Sequence, residues 1–190
     1  GDYIQIYAPL KYMENLGLKG ETIAKCETIL SKGTRIASNN IGVLASQGLS
    51  SIIVYSKPVV AIMPTGEEII EAGKTLKSGQ LYDTNSYTLS AIVTENGGIP
   101  IKLPVSKDNP EHVMQSLEEA AKQADIIVTS GGVSVGDKDL IAETILKHGT
   151  ILFHGVKIKP GRPVLFAVFK DKPVIGIPGY PTSCFINATL

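Results

Sequence analysis

Five loops carry the side chains able to do chemistry in this 190-residue chain. The first is Thr129-Ser-Gly-Gly-Val-Ser-Val-Gly-Asp-Lys-Asp139, set between an apolar run and a helix-forming stretch. Adjacent Gly131 and Gly132 let the backbone come close to a ligand, and amides in such a turn cradle anionic oxygens. Ser130 and Ser134 add hydroxyls. The loop is neither a dinucleotide fingerprint nor a P-loop, because no Gly-Lys-Ser/Thr follows. The second loop, Pro64-Thr65-Gly66-Glu67-Glu68, puts two acids after a glycine turn. They either hold magnesium or form a solvated face. In the third, Leu81-Tyr-Asp-Thr-Asn-Ser86, Asp83 either caps the helix that follows or, with Asn85 and Ser86, faces a polar ligand.

The fourth loop, Lys157-Ile-Lys159-Pro-Gly-Arg162-Pro163, holds three cations in six positions. In an extended strand, Lys157 and Lys159 share a side. This is an oxyanion site or a solvated strand end. The fifth, Ile177-Pro-Gly-Tyr-Pro181-Thr-Ser183, opens a helix whose N-terminus favours an anion, with Thr182 and Ser183 as donors. Cys184 beside them reads as a small buried residue. His112 and His148 read as helix-surface residues, while His154 lies close to the lysine loop. No metal-ligand spacing, nucleophile elbow or Cys-x-x-Cys pair is present.

These loops need elements to hold them. Residues 1–57 read as short β segments with one helix. Tyr3–Tyr7 alternates like a half-buried strand, Ser38–Gln47 is a helix stopped by Gly48, and Ser51–Tyr55 is a short strand. A boundary falls at Lys57-Pro58. Beyond it strands and helices alternate: strand Val59–Met63, helix Thr84–Asn96, strand Ile99–Leu103, a helix from Asn109-Pro110 to about Gln123, and strand Ile126–Thr129. Helix Leu140–His148 follows, then β runs near Ile151–Val156, Pro163–Phe169 and Val174–Ile177. A last helix starts at Pro181 and is cut short at Leu190. This order predicts an α/β fold, a three-layer αβα domain with a mostly parallel sheet joined by right-handed crossovers. Ligands then sit beyond the strand C-terminal ends.

Composition excludes several classes. The 18 basic and 18 acidic residues cancel, and only two of the basic ones are arginines, so a nucleic-acid footprint is missing. Hydrophobic residues at 43% and charged ones at 19% mark a globular chain. The longest apolar run, Val164–Phe169, has six residues, where a membrane span needs about 20. Two cysteines suggest reduced thiols and a cytoplasmic protein. The length suggests one domain and part of another, and the absence of an initiator Met suggests a fragment.

Five motifs in this order resemble the molybdopterin molybdenumtransferase family: Pro64-Thr-Gly-Glu-Glu68, Asp83-Thr-Asn85, Ser130-Gly-Gly-Val-Ser-Val-Gly136 with Asp139, Lys159-Pro-Gly-Arg-Pro163 and Pro178-Gly-Tyr-Pro-Thr-Ser183. They cover about 58–190. Residues 1–57 read as the C-terminal part of a β-rich domain with a connecting helix, and Leu30–Gly48 within them resembles the family's segment that leads from that domain back into the catalytic one. The resemblance implies insertion of molybdate into adenylated molybdopterin with release of AMP, assisted by magnesium. It implies that Glu68, Asp108 and Asp139 hold the cation and nucleotide phosphates. Thr65, Gly66, Asp83, Asn85, Ser130, Gly131, Gly132 and Ser134 would bind molybdopterin, and Lys159, Arg162, Pro181 and Ser183 would meet the molybdate end. It implies small-molecule substrates, no nucleic acid, no membrane, and a homodimer in the full-length parent. Two departures stand out. Gly155 occupies a position that is often lysine in the family, and Tyr180 stands where the turn usually has Asn. Alternatives are a molybdopterin adenylyltransferase, a competence-damage type nucleotide hydrolase, and a non-enzymatic molybdopterin-binding scaffold. The Ser130-Gly-Gly-Val-Ser loop and the Lys159–Pro163 run argue against the first two.

Overall fold

The computed structural model describes residues 1–133 and 139–190, as two compact units, Gly1–Val54 and Tyr55–Leu190. In the first, the one regular element is helix α1, Ser38–Ser46. Its start is one residue earlier than the Ser38 cap suggested: Ala37 is the N-cap, and Asn40 Oδ1 accepts from Ala37 N at 2.9 Å. Gly48, at φ +76°, ends it as expected. The strands expected at Tyr3–Tyr7 and Ser51–Tyr55 are not formed. Alternation chooses the wet face of a strand, but a strand also needs neighbouring backbone to pair with. Neither segment has such a neighbour, and Tyr3 is 98% exposed.

The second unit is a six-stranded sheet between two helical layers. Its strands are β1 (Val59–Pro64), β4 (Ile99–Lys102), β5 (Ile126–Ser130), β6 (Gly149–His154), β7 (Leu165–Phe169) and β8 (Lys172–Ile177). A separate two-stranded parallel ladder joins β2 (Ile69–Ile70) to β3 (Leu81–Tyr82), which the sequence reading did not anticipate. The helices are α2 (Asn85–Glu95), α3 (Pro110–Gln123), α4 (Leu140–His148) and α5 (Pro181–Thr189). Sheet order is β4-β1-β5-β8-β7-β6.

Period-two alternation along β1 builds both cores. Ala61 and Met63 face Val113, Leu117, Ile141 and Ile145 of α3 and α4. Val60 and Ile62 face Leu89 of α2 and Cys184 of α5. Asn109 caps α3 as expected, accepting from His112 N at 2.9 Å, with Pro110 in the first turn. The sheet is mostly parallel, as expected, with β4, β1, β5 and β8 in parallel and β7 antiparallel to β8 and to β6. Only Lys170 and Asp171 lie between β7 and β8, both at positive φ. Two residues close a hairpin but are far too few for a crossover.

Candidate functional site

The chain leaves β1 for β4 on one side, then returns to β5 on the other. That reversal opens a crevice at the strand C-terminal ends, and a cleft of about 980 Å³ lies there. Main-chain bonds knit its floor. Thr65 N donates to Ser130 O at 2.9 Å, Ser106 N to Pro64 O at 2.8 Å, and Gly131 N to Ile177 O at 3.0 Å. Gly131 sits at φ +87°, where a Cβ would meet the Thr65 carbonyl oxygen at 2.8 Å. A side chain there would push apart the ends of β1 and β5.

Of the residues expected at the site, Thr65, Gly66, Glu68, Asp83, Asn85 and Asp108 line this cleft. Ser130, Gly131, Gly132 and Pro181 complete its lining from the loops after β5 and β8. Ser134 lies outside the described residues. Asn85 ties three loops together, since its Nδ2 donates to Ser130 Oγ at 2.7 Å and to Gly179 O at 2.8 Å. Asp83 is buried at 4% exposure and takes the capping role considered for it. Its Oδ1 accepts from Ser86 N at 3.0 Å, capping α2, and its residue borders the cleft. Its Oδ2 lies 3.3 Å from Lys102 Nζ, outside hydrogen-bond alignment. Lys102 also sits 4.1 Å above the Tyr87 ring. Burial opposes the Lys102 charge, but Asp83 and then Tyr87 outweigh it and hold the ammonium above its usual pKa.

The three acids expected to hold a cation are not gathered. Glu68 and Asp108 share the cleft, whereas Asp139 is not part of its lining. Asp139 is the N-cap of α4 instead: Oδ1 accepts from Ala142 N at 2.7 Å, and Oδ2 lies 3.0 Å from His154 Nε2. Among the described residues, no three His, Cys, Asp or Glu side chains converge on a metal position. Glu143, from the first turn of α4, does line the cleft. It was overlooked in sequence, although it lies one turn beyond the Asp139 cap.

Partial withdrawal from water raises the Asp108 pKa above 3.8, the Glu67 backbone amide pulls it down, and the charges of Glu68 and Glu67 raise it further. The fold thus disfavours charged Asp108. This cost grows as pH rises from 3.8 through the higher folded value, and it is complete at neutral pH. Asp108→Asn is expected to raise Tm slightly at pH 7 and to leave it unchanged at pH 3. The gain is small because Asp108 is exposed. Thermal melts without divalent cations check this; a lower Tm at pH 7 contradicts it.

The cationic residues lie elsewhere. Lys159, Arg162 and Ser183 are not in the cleft lining. Lys157–Arg162 is a loop joining β6 to β7 and not an extended strand, closed by Gly155 N to Val164 O at 2.7 Å and Val156 N to Arg162 O at 2.9 Å. Asn187 of α5 anchors it, donating to Gly161 O at 3.1 Å and to Ser183 O at 2.8 Å. The loop bearing Lys159 and Arg162 therefore meets the Ser183 turn through one amide. Cys184 is buried as expected; burial first, and Asp83 beyond it, push the thiol up to about 11 against a lowering contact from Ser130.

Residues 61–189 match the family described as a probable molybdopterin binding domain. The chain belongs to this family. Similarity to whole relatives extends beyond the domain. The molybdopterin molybdenumtransferase of Haemophilus influenzae is 34% identical, over 92% of this chain and 43% of that protein. That of Nostoc sp. is 35% identical, over 84% and 37%. The crystal structure of the molybdopterin biosynthesis MoeA protein of Pyrococcus horikoshii superposes with a TM-score of 0.79 at 39% identity, over 90% of this chain and 42% of that one. The chain thus spans less than half the length of these relatives. No helix among the described residues is long and apolar enough to cross a membrane.

Proposed function

We propose that this chain is the molybdopterin-binding part of a molybdenumtransferase, which inserts molybdate into adenylated molybdopterin and releases AMP. The observation that carries the reading is the cleft at the β1/β5 switch point, where the Thr65–Glu68 and Ser130–Gly132 loops meet under Asn85. Thr65, Gly66, Gly131, Gly132 and Ser130 would take the pyrophosphate through close backbone and hydroxyl contacts. Asn85 would keep Ser130 oriented while bonded to it, and Asp83 would close the wall.

Magnesium fits Glu68 and Asp108, because this cation is commonly held by one or two carboxylates together with water and substrate phosphates. It would neutralise charge on the phosphates. Asp139, bound to His154, would position α4 and the loop before it and would not ligate the cation. Lys159, Arg162 and Ser183 would receive the molybdate oxyanion, with Pro181 turning α5 towards it. The work is orientation and charge placement, without a covalent intermediate. Both cysteines are free, which is compatible with a cytoplasmic protein, and a homodimer would complete the site in the full-length parent.

The test is AMP release from adenylated molybdopterin by the parent protein with molybdate and magnesium. Release is expected, and Glu68→Gln should reduce it about 100-fold or more, as loss of one transition-state contact does. No release from the wild type ends the proposal. A molybdopterin-binding scaffold would bind molybdopterin in calorimetry and release no AMP, so the two measurements together separate an enzyme from a scaffold.

A further inference from the structure

Tyr180 borders the cleft yet is 78% exposed. Leu81 and Tyr82 border it as well, at 61% and 42% exposed. Large apolar side chains left uncovered inside a concave site mark where a ligand supplies the missing contact. The polar residues beside them already have partners: Asp83 caps α2, and Asn85 holds Ser130 and Gly179. Tyr82 is fixed by its hydroxyl, which donates to Lys74 O at 2.8 Å.

The backbone of Tyr180 is also fixed. It is the N-cap of α5, between Gly179 and Pro181, at φ −68° and ψ 125°. Its carbonyl accepts from Cys184 N at 2.8 Å. An exposed ring on a fixed backbone has few torsions left to immobilise on binding. Aromatic faces hold planar rings by stacking, with little regard to substituents, and offer no comparable contact to a sugar phosphate.

We infer that Tyr180 stacks on a planar nitrogen heterocycle, a purine or a pterin, and so sets the preference of the cleft for ring-bearing ligands. The inference rests on the proposed molybdopterin-binding function and names the residue that selects the ring. Stacking of this kind acts on affinity.

The absence of tryptophan and the presence of seven tyrosines make tyrosine emission readable. The chain is titrated with AMP, with free pterin and with ribose 5-phosphate, by calorimetry and by tyrosine fluorescence. Wild type is expected to bind one ring ligand with quenching. Tyr180→Ala should weaken that ligand roughly tenfold, the scale of one stacked base, with ribose 5-phosphate unchanged. Tyr180→Phe should keep the affinity and lose the Tyr180 share of the quenching. Which ring ligand responds tells a purine from a pterin. If Tyr180→Ala binds as wild type does, or loses ribose 5-phosphate equally, the stacking role is overturned and the proposed function stands. If wild type binds neither ring, both fall.

Discussion

Asp83→Ala is expected to cost about 3 kcal/mol of stability, the lower end of the loss when one partner of a buried ion pair is removed. The lower end applies because the Lys102 side chain keeps 27% exposure while that of Asp83 keeps 2%. Part of the loss is the α2 cap, worth about 1 kcal/mol by itself. The remainder is the ammonium left half-buried over Tyr87. The pH dependence follows from the raised Lys102 pKa. A raised folded value means that the pair stabilises fully below 10.5 and stops doing so as pH rises through the folded value. The penalty of Asp83→Ala should therefore be flat from pH 7 to about 9.5 and shrink in stronger alkali. Adding Lys102→Met should recover part of it. Urea melts of the two singles and the double decide the matter; a double variant as unstable as the sum of the singles would remove the pair from the account.

Gly131→Ala is expected to cost about 3 kcal/mol and to lower Tm by roughly 6–12 °C. An Ala at φ +87° carries the left-handed penalty, about 1–2 kcal/mol. The added Cβ also meets Thr65 O at 2.8 Å and Thr65 Oγ1 at 2.9 Å. A backbone oxygen cannot swing aside, so the Thr65–Ser130 junction opens and the cleft loses its floor. Ligand affinity should fall with stability. Gly97 provides the comparison: its φ is +85°, but a Cβ there meets nothing within 4 Å. Gly97→Ala should lose only the backbone part, about 1 kcal/mol. Equal losses at the two positions would falsify the close-approach argument.

Much of the site was legible because its chemistry is local. Gly131-Gly132 after an apolar run, and Thr65-Gly66 after another, marked two turns at strand ends, and both line the cleft. The cap at Asn109 and the stop at Gly48 depend on neighbours within a few residues, so they were legible too. The carboxylates were harder. Glu68, Asp108 and Asp139 are alike as residue types, but only the fold turns Asp139 to His154, 15 residues away across β6. Tyr3–Tyr7 shows the opposite failure, an alternation with no backbone beside it to pair with.

The sequence by itself determined the α/β class, the boundaries of most elements after Pro58, and the loops that carry chemistry, because periodicity and turn residues act over short distances. It also contained, unread, the antiparallel β7, since two residues between β7 and β8 allow nothing but a hairpin. The tertiary structure alone decided which loops share a cleft. It placed Asp83 against Lys102, joined Asn85 to Ser130, turned Asp139 to His154 and left Tyr180 uncovered at the rim. These are contacts between residues far apart in the chain, fixed by strand order and register, and no local pattern specifies them.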